Sequence, residues 1–290
     1  MLESVHTKAA TDLRILPDDV RMDFPLIANA RAGVEPGKSL VYLDSAATAQ
    51  KPRQVIEASV GAYSDCYANV HRSVYRLGEE ATIRYEAVRE RLRQFLNAQS
   101  TSEVIFTAGT TDGINLVTFA YGESALASGD EIIVTTLEHH ANFVPWQVLA
   151  QRKAVKLRVV GLSSDGDIDF EEFKRLLNSR TKIVALTQLA NAYGLRLPIE
   201  KMIAAAHAVG ARVLIDAAQS VAHESIDVQK LDADFLVFSA HKLYGPSGLG
   251  VLYAKRALLD QMTPFRTGGN MIERVSIEQT TFAEPPAKFE

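Results

Sequence analysis

Lys242 stands in "DFLVFSAHKLYGPSGLG", directly after an apolar run and just before a turn rich in Gly and Pro. A lysine in that place is either a solvated loop charge or an amine held at the rim of a sheet. At a rim, partial desolvation or nearby positive charge lowers its pKa and frees an amine able to form a Schiff base with an aldehyde. Asp216 closes the run "RVLID" 26 residues earlier, which is room for one helix and one strand, so the two can end neighbouring strands. A carboxylate after residues that are all apolar or basic is partly buried, and burial without a cationic partner is costly. The protonated ring nitrogen of a bound cofactor would supply that partner. In pyridoxal phosphate such a pair makes the ring an electron sink.

Two further loops carry candidate chemistry. In "AGTTDGIN", Gly109, Thr110 and Thr111 precede a segment that can start a helix, where free backbone N–H groups and the helix dipole favour phosphate. A simple threonine N-cap is the alternative. The loop is neither a Walker loop nor a GxGxxG fingerprint. "LEHHANFVPW" contributes Glu138, His139, His140 and Asn142. The spacing is not HExxH, and adjacent histidines in an extended segment point to opposite sides, so no metal site is expected. A ring stacked on a planar cofactor, or a structural histidine, suits the position better.

The elements that must position these groups follow from periodicity. Short β-branched runs at 41–44, 103–107, 131–136, 157–162, 182–187, 212–216, 234–239 and 250–254 alternate with helical patterns, the signature of an α/β fold with a mostly parallel sheet flanked by helices. Ile83, Ala87, Arg91 and Phe95, with Val88, Leu92 and Leu96, mark one helix, and Ile203, Ala204, His207 and Ala208 another; "SSDGDIDFEEFKRLL" reads as a turn and then an acidic helix start. In open sheets of this class ligands gather outside the carboxyl ends of the strands, where all these polar loops fall. The first ~35 residues read as an N-terminal arm (1–35) before a domain at 36–290.

The 290 residues are 47% hydrophobic and 23% charged, with a net charge of −4, which predicts no nucleic-acid partner. No signal peptide and no ~18-residue uncharged apolar run is present, so no membrane association is predicted and a cytoplasmic enzyme is the default. Cys66 is the chain's one cysteine, which removes internal disulfides and cysteine-rich metal sites.

Together, "YLDSAATAQKP", "NVHRSVYRLGEEAT", "FTAGTTDGINLV", "LEHHANFVPWQ", "LIDAAQS" and "FSAHKLYGPSGLGVLY" resemble the large domain of class V aminotransferase-fold pyridoxal-phosphate enzymes, nearest to the group II cysteine desulfurases, also described as selenocysteine lyases. The resemblance covers roughly residues 20–290. It implies the aspartate aminotransferase-like, fold type I architecture, with pyridoxal 5'-phosphate as cofactor.

By that resemblance Lys242 carries the Schiff base, Asp216 pairs with the pyridinium nitrogen, and Gln219 bonds the ring hydroxyl. His139 stacks on the ring and assists proton transfer, while Thr110, Thr111, Ser239 and His241 hold the phosphate. Asn191 sits near the substrate carboxylate and the cofactor, with Ala46, Ala47 and His71 on the substrate side. The implied reaction takes sulfur from L-cysteine, or selenium from selenocysteine. An enzyme thiolate attacks the substrate sulfur, leaving alanine and an enzyme persulfide for an acceptor protein of iron-sulfur cluster assembly. A homodimer is also implied.

The chain departs from the family pattern in two places. Gln188, Leu189, Ala190 and Asn191 stand where the family has a His-Val-Ser-Asn run. Relatives continue past a point equivalent to "PPAKFE" into a Gly-Thr-Pro segment and a small domain with the persulfide cysteine and carboxylate-binding arginines. Cys66 matches no family cysteine motif and reads as a structural thiol. The expectation is therefore a cofactor-binding domain without its sulfur acceptor, with apolar surface exposed where the missing part would pack. Another reaction of the same fold (β-lyase, kynureninase-like hydrolase, epimerase) and a non-catalytic dimerising fragment stay open.

Overall fold

The computed structural model describes residues 18–29, 38, 40–71 and 74–290. Most of the expected N-terminal arm lies outside the described residues.

Seven strands form one sheet: β1 (Val104–Thr107), β2 (Glu131–Thr135), β3 (Lys156–Val160), β4 (Thr181–Thr187), β5 (Arg212–Asp216), β6 (Phe235–Ser239) and β7 (Gly250–Ala254), in the order β1-β7-β6-β5-β4-β2-β3. The five strands from β6 to β3 run parallel; β7 is antiparallel to both its neighbours. Each strand sends alternate side chains to opposite faces. Ile133, Val184, Val213, Ile215, Leu236 and Phe238 join the core on one side, and Ile132, Val134, Ile183, Leu214, Phe235 and Val237 the core on the other. Burial on both faces is why these strands read as unbroken apolar runs rather than alternating ones.

The helices cover both faces. Arg76–Leu96 ends on Asn97 in the left-handed conformation, and Phe170–Leu176 starts at Asp169, whose carboxylate accepts the Glu172 N–H. Ile199–Ala208 turns Ile199, Met202, Ile203 and Ala206 inward. The helices Arg53–Ser64 and Val144–Lys153 were not marked by sequence, and neither was the hairpin of β8 (Ile272–Val275) and β9 (Thr280–Phe282).

Two expectations need correction. "VYLD" at 41–44 is not a strand: no ladder partner meets it among the described residues, and Val41 and Leu43 are exposed. A β-branched run becomes a strand only where another strand supplies its hydrogen bonds. "EHHAN" is not extended either. His139 caps a 3₁₀ turn over His140–Asn142, its Nδ1 accepting the Ala141 N–H at 3.1 Å. The expected helix over 83–96 forms, but Ile83, Val88 and Phe95 stay exposed, as do Val60 and Tyr63 on Arg53–Ser64.

β1 is one edge of the sheet, and side chains take up two of its backbone groups. Arg89 donates to the Val104 carbonyl at 2.7 Å, and the Phe106 N–H donates to the Glu290 carboxylate at 2.6 Å. Arg89 and Glu290 pair through two bonds of 2.7 and 2.8 Å. An edge closed this way offers no template for another strand.

Candidate active site

Both β1 and β6 are antiparallel to β7, so their carboxyl ends share one rim, and Thr107 and Ser239 both pair with Gly250. That pairing forces the Gly109 loop across the start of β7. A Cβ on Gly250 would lie 2.5 Å from the Gly109 Cα, so only glycine lets the two backbones stack. Gly109 itself adopts φ 151°, ψ 178°, a conformation essentially reserved for glycine. The result places Thr110 on Ser239: the Thr110 N–H donates to the Ser239 Oγ at 2.8 Å, and the two hydroxyls lie 2.7 Å apart.

Above the carboxyl ends of β2, β4, β5 and β6 lies a cavity of about 530 Å³. Lys242, His139, Thr110, Thr111, Asn191, Asp216, Gln219, Ser239, His241, Ala46 and Ala47 all line it, brought together from six segments of the chain. His71 does not. It sits at the start of the Arg76–Leu96 helix side, bonded to Glu86 at 2.9 Å and edge-on to Tyr85. Thr187, Ala141, Ala218 and Asp44 line the cavity without having been singled out, and so does Leu189 of the altered segment. Thr187 ends β4, so the strand-end rule could have found it; no local signal marks Asp44.

Asp216 is 4% exposed at the end of β5, and its Oδ1 accepts the Ala218 N–H at 2.9 Å. Burial pushes its carboxyl above the usual carboxylate range, against the pull of the Ala218 N–H, Lys242 and His139. Lys242 follows β6 in a 3₁₀ turn over Ala240–Lys242. Burial holds its amine below the ordinary lysine range, with Asp216 pulling the other way. An amine so shifted is a better nucleophile at neutral pH. His241 is also lowered, by burial first and then by the charges of Lys242 and Lys51.

Gln219 Nε2 donates to the Ala46 carbonyl at 2.8 Å, drawing the Asp44–Ala47 turn over the cavity mouth. In the altered "QLAN" segment, Gln188 turns away from the cavity and accepts the Ser220 hydroxyl at 2.8 Å, while Leu189 and Asn191 face it. Cys66 is buried just past the Arg53–Ser64 helix and does not line the cavity.

Glu138 was named in its loop but given no role. The residue is half-buried, yet its carboxyl lies between Thr135 and Asn142, both fully buried, accepting their hydrogen bonds at 2.7 and 2.6 Å; Asn142 in turn accepts from Trp146. Burial pushes that carboxyl up to about 8, with the nearby Asp216 adding to the rise.

The residues present fit pyridoxal phosphate. A buried carboxylate with a single backbone donor calls for a cationic ring nitrogen, a desolvated amine lines the same cavity, and two buried hydroxyls, Thr110 after Gly109 and Ser239 at the end of β6, suit a phosphate.

The aminotransferase class-V family model matches residues 41–290, so the chain belongs to that family. Its seven-stranded sheet is the large-domain fold of these pyridoxal-phosphate enzymes. The cysteine desulfurase of Enterobacter sp. (strain 638) is 50% identical over 274 residues, covering 94% of this chain and 66% of that protein. A cysteine desulfurase of Synechococcus elongatus is 46% identical over 289 residues, 100% of this chain and 45% of its own length. Among solved structures, the cysteine desulfurase CsdA from Escherichia coli superposes with a TM-score of 0.85 at 42% identity, covering 94% of this chain and 66% of the other. The chain thus spans just under two thirds of the length of the Enterobacter relative.

Proposed function

We propose that this member of the class V family binds pyridoxal 5'-phosphate through Lys242 and takes sulfur from L-cysteine in the manner of a cysteine desulfurase. The observation that carries the reading is a single cavity shared by the buried Asp216, the desolvated Lys242 and the Thr110–Ser239 pair. The similarity to proteins named cysteine desulfurases directs it to cysteine. The cofactor-binding unit is residues 36–290.

When bound, the cofactor supplies an electron sink for the pair left behind as the substrate Cα–H bond breaks. Asp216, buried at the end of β5, would pair with the ring nitrogen and keep it protonated. Thr110, Thr111, Ser239 and His241 would hold the phosphate, and His139, lining the same cavity, would meet the ring. Lys242 would hold the cofactor through its amine, and its Nζ is the base placed to accept the α-proton. Ala46 and Ala47 are small because the substrate side chain needs their space, and Asn191 orients the carboxylate. His71, held by Glu86 away from this cavity, fits the substrate side only if it serves a second copy of the chain.

Desulfuration to alanine requires a thiolate that attacks the substrate sulfur, forming an S–S bond as the C–S bond breaks and its electron pair, with a proton, stays on the carbon that leaves as alanine. Cys66, buried away from the cavity, is not that thiol. The acceptor is then a thiol outside residues 1–290, and iron-sulfur assembly proteins fit the role of taking the sulfur onward. A homodimer in the cytoplasm is the accompanying reading, supported by the exposed Val60, Tyr63, Ile83 and Phe95. Selenocysteine is the other substrate the same site accommodates.

Among the described residues no thiol lines the cavity, which also fits a second reading, β-lyase chemistry that releases sulfide directly. Incubation with L-cysteine separates the two. Alanine formed only when a thiol acceptor is added supports desulfuration, whereas sulfide without alanine supports the lyase; no turnover of L-cysteine by a protein that has bound the cofactor overturns both.

A further inference from the structure

The 3₁₀ turn that carries Lys242 leaves one backbone group without an internal partner. Leu243 and Gly245 both donate to the Ala240 carbonyl, and Tyr244 leaves the turn at φ 60°, so the His241 carbonyl receives nothing from its own turn. An unmet buried carbonyl is costly, so another part of the chain must meet it. Three donors do, all from the "TAQK" segment nearly two hundred residues earlier. The Ala49 N–H reaches it at 3.1 Å, the Lys51 ammonium at 3.0 Å and the Thr48 hydroxyl at 3.4 Å. Lys51 also donates to the Ala49 carbonyl at 2.5 Å, and the Thr48 hydroxyl lies 3.1 Å from the His241 Nδ1.

We propose that Lys51 is a positioning residue for Lys242: with Thr48 and Ala49 it fixes the His241 carbonyl, and therefore the peptide from which the Lys242 amine projects into the cavity. Neither Lys51 nor Thr48 lines that cavity, so the effect acts through the backbone and not by contact with a ligand. A bond from an ammonium to a carbonyl is the strong member of the set, and removing it frees the turn to sample other orientations. Thr48 sets a second element of the same arrangement. Its hydroxyl beside Nδ1 fixes the ring of His241, a residue that lines two adjoining cavities.

The inference rests on the Lys242 reading above, and one experiment tests the two separately. Lys51→Met, Lys51→Arg and Thr48→Val proteins are incubated with pyridoxal phosphate, reduced with borohydride, and the fraction of Lys242 labelled is read by peptide mass spectrometry across pH and cofactor concentration, alongside thermal melting. Lys51→Met is expected to need about tenfold more cofactor for half-labelling, the loss of one charge-assisted bond, at a melting temperature close to the parent's; Lys51→Arg restores labelling. Thr48→Val shifts it in the same direction and carries the test if Lys51→Met does not fold. Labelling of Lys51→Met and Thr48→Val equal to the parent's, or a loss that Lys51→Arg fails to restore, overturns the proposal. A parent protein that is itself unlabelled at Lys242 overturns the cofactor reading instead.

Discussion

Asp216 and Lys242 line one cavity from behind the ends of the adjacent parallel strands β5 and β6, yet among the described residues no ion pair joins them. Each shifts toward its neutral form because burial outweighs the other's charge. A charged ligand bridging the two would reverse both costs, which is the electrostatic meaning of the gap between them.

Asp216→Asn should therefore act in opposite directions with and without cofactor. The folded carboxyl is raised above its unfolded value of about 3.9, so its contribution is fully favourable only below that pH and is lost as pH rises through the folded value. At neutral pH the cofactor-free variant should melt above the parent, with the difference closing as pH approaches 4. It should also bind pyridoxal phosphate more weakly, by on the order of tenfold or more. Calorimetric melts and cofactor titration check the two signs; a lower melting point without cofactor would count against the buried-charge account.

Glu138 gives a second pH signature. Its folded value of about 8 stands above an unfolded value of about 4.3, so its stabilising contribution is present below about pH 4.3 and declines as pH rises to 8. Glu138→Gln keeps an oxygen for the Asn142 donor, lets its NH2 donate to the Thr135 hydroxyl, and removes the titration. The melting temperature of the variant should fall less between pH 6 and pH 9 than the parent's, and identical slopes would place the carboxylate's cost elsewhere.

Gly250→Ala tests the crossing of backbones under the phosphate loop. The added methyl would meet Gly109 atoms at 2.5, 2.6 and 2.8 Å, none of them able to swing aside as a side chain can. Displacing Gly109 separates Thr110 from Ser239. Cofactor affinity should drop by at least about tenfold, and stability by the ~1–3 kcal/mol typical of overpacking, measured by dye-free equilibrium titration and urea unfolding.

Arg89→Ala should be among the most damaging substitutions remote from the cavity. Arg89 is 1% exposed and holds Glu86, Glu290 and the Val104 carbonyl at once, with the Phe106 ring 4.5 Å below its guanidinium. Removing it strands a largely buried carboxylate, at a cost of about 3–5 kcal/mol in denaturant unfolding. Arg89→Ala paired with Glu290→Gln should recover part of that loss, because the stranded charge is gone.

How much of this was legible beforehand depends on the range of the interaction. Lys242, Asp216, Thr110, Thr111 and His139 were legible because each follows an apolar run, and strand ends in a parallel sheet share a rim whatever the details of packing; Ser239 came from motif resemblance. Motif resemblance added Gln219, Asn191, His241, Ala46 and Ala47, all of which line the cavity, and His71, which does not. "VYLD" misled because its β-branched residues carry a propensity but no partner, and "EHHAN" because a turn held by the His139 ring looks like extended chain in one dimension.

The amino-acid sequence by itself determined the sheet's strands, the residue types at their carboxyl ends and the family those loops resemble, since periodicity and local chemistry are properties of neighbours in the chain. Only the tertiary structure decided which charges are costly and which backbone groups need help. The raised carboxyls of Asp216 and Glu138, the Gly250–Gly109 crossing and the Lys51 clamp on the His241 carbonyl all arise where distant segments exclude water from one another, and no residue carries that exclusion alone.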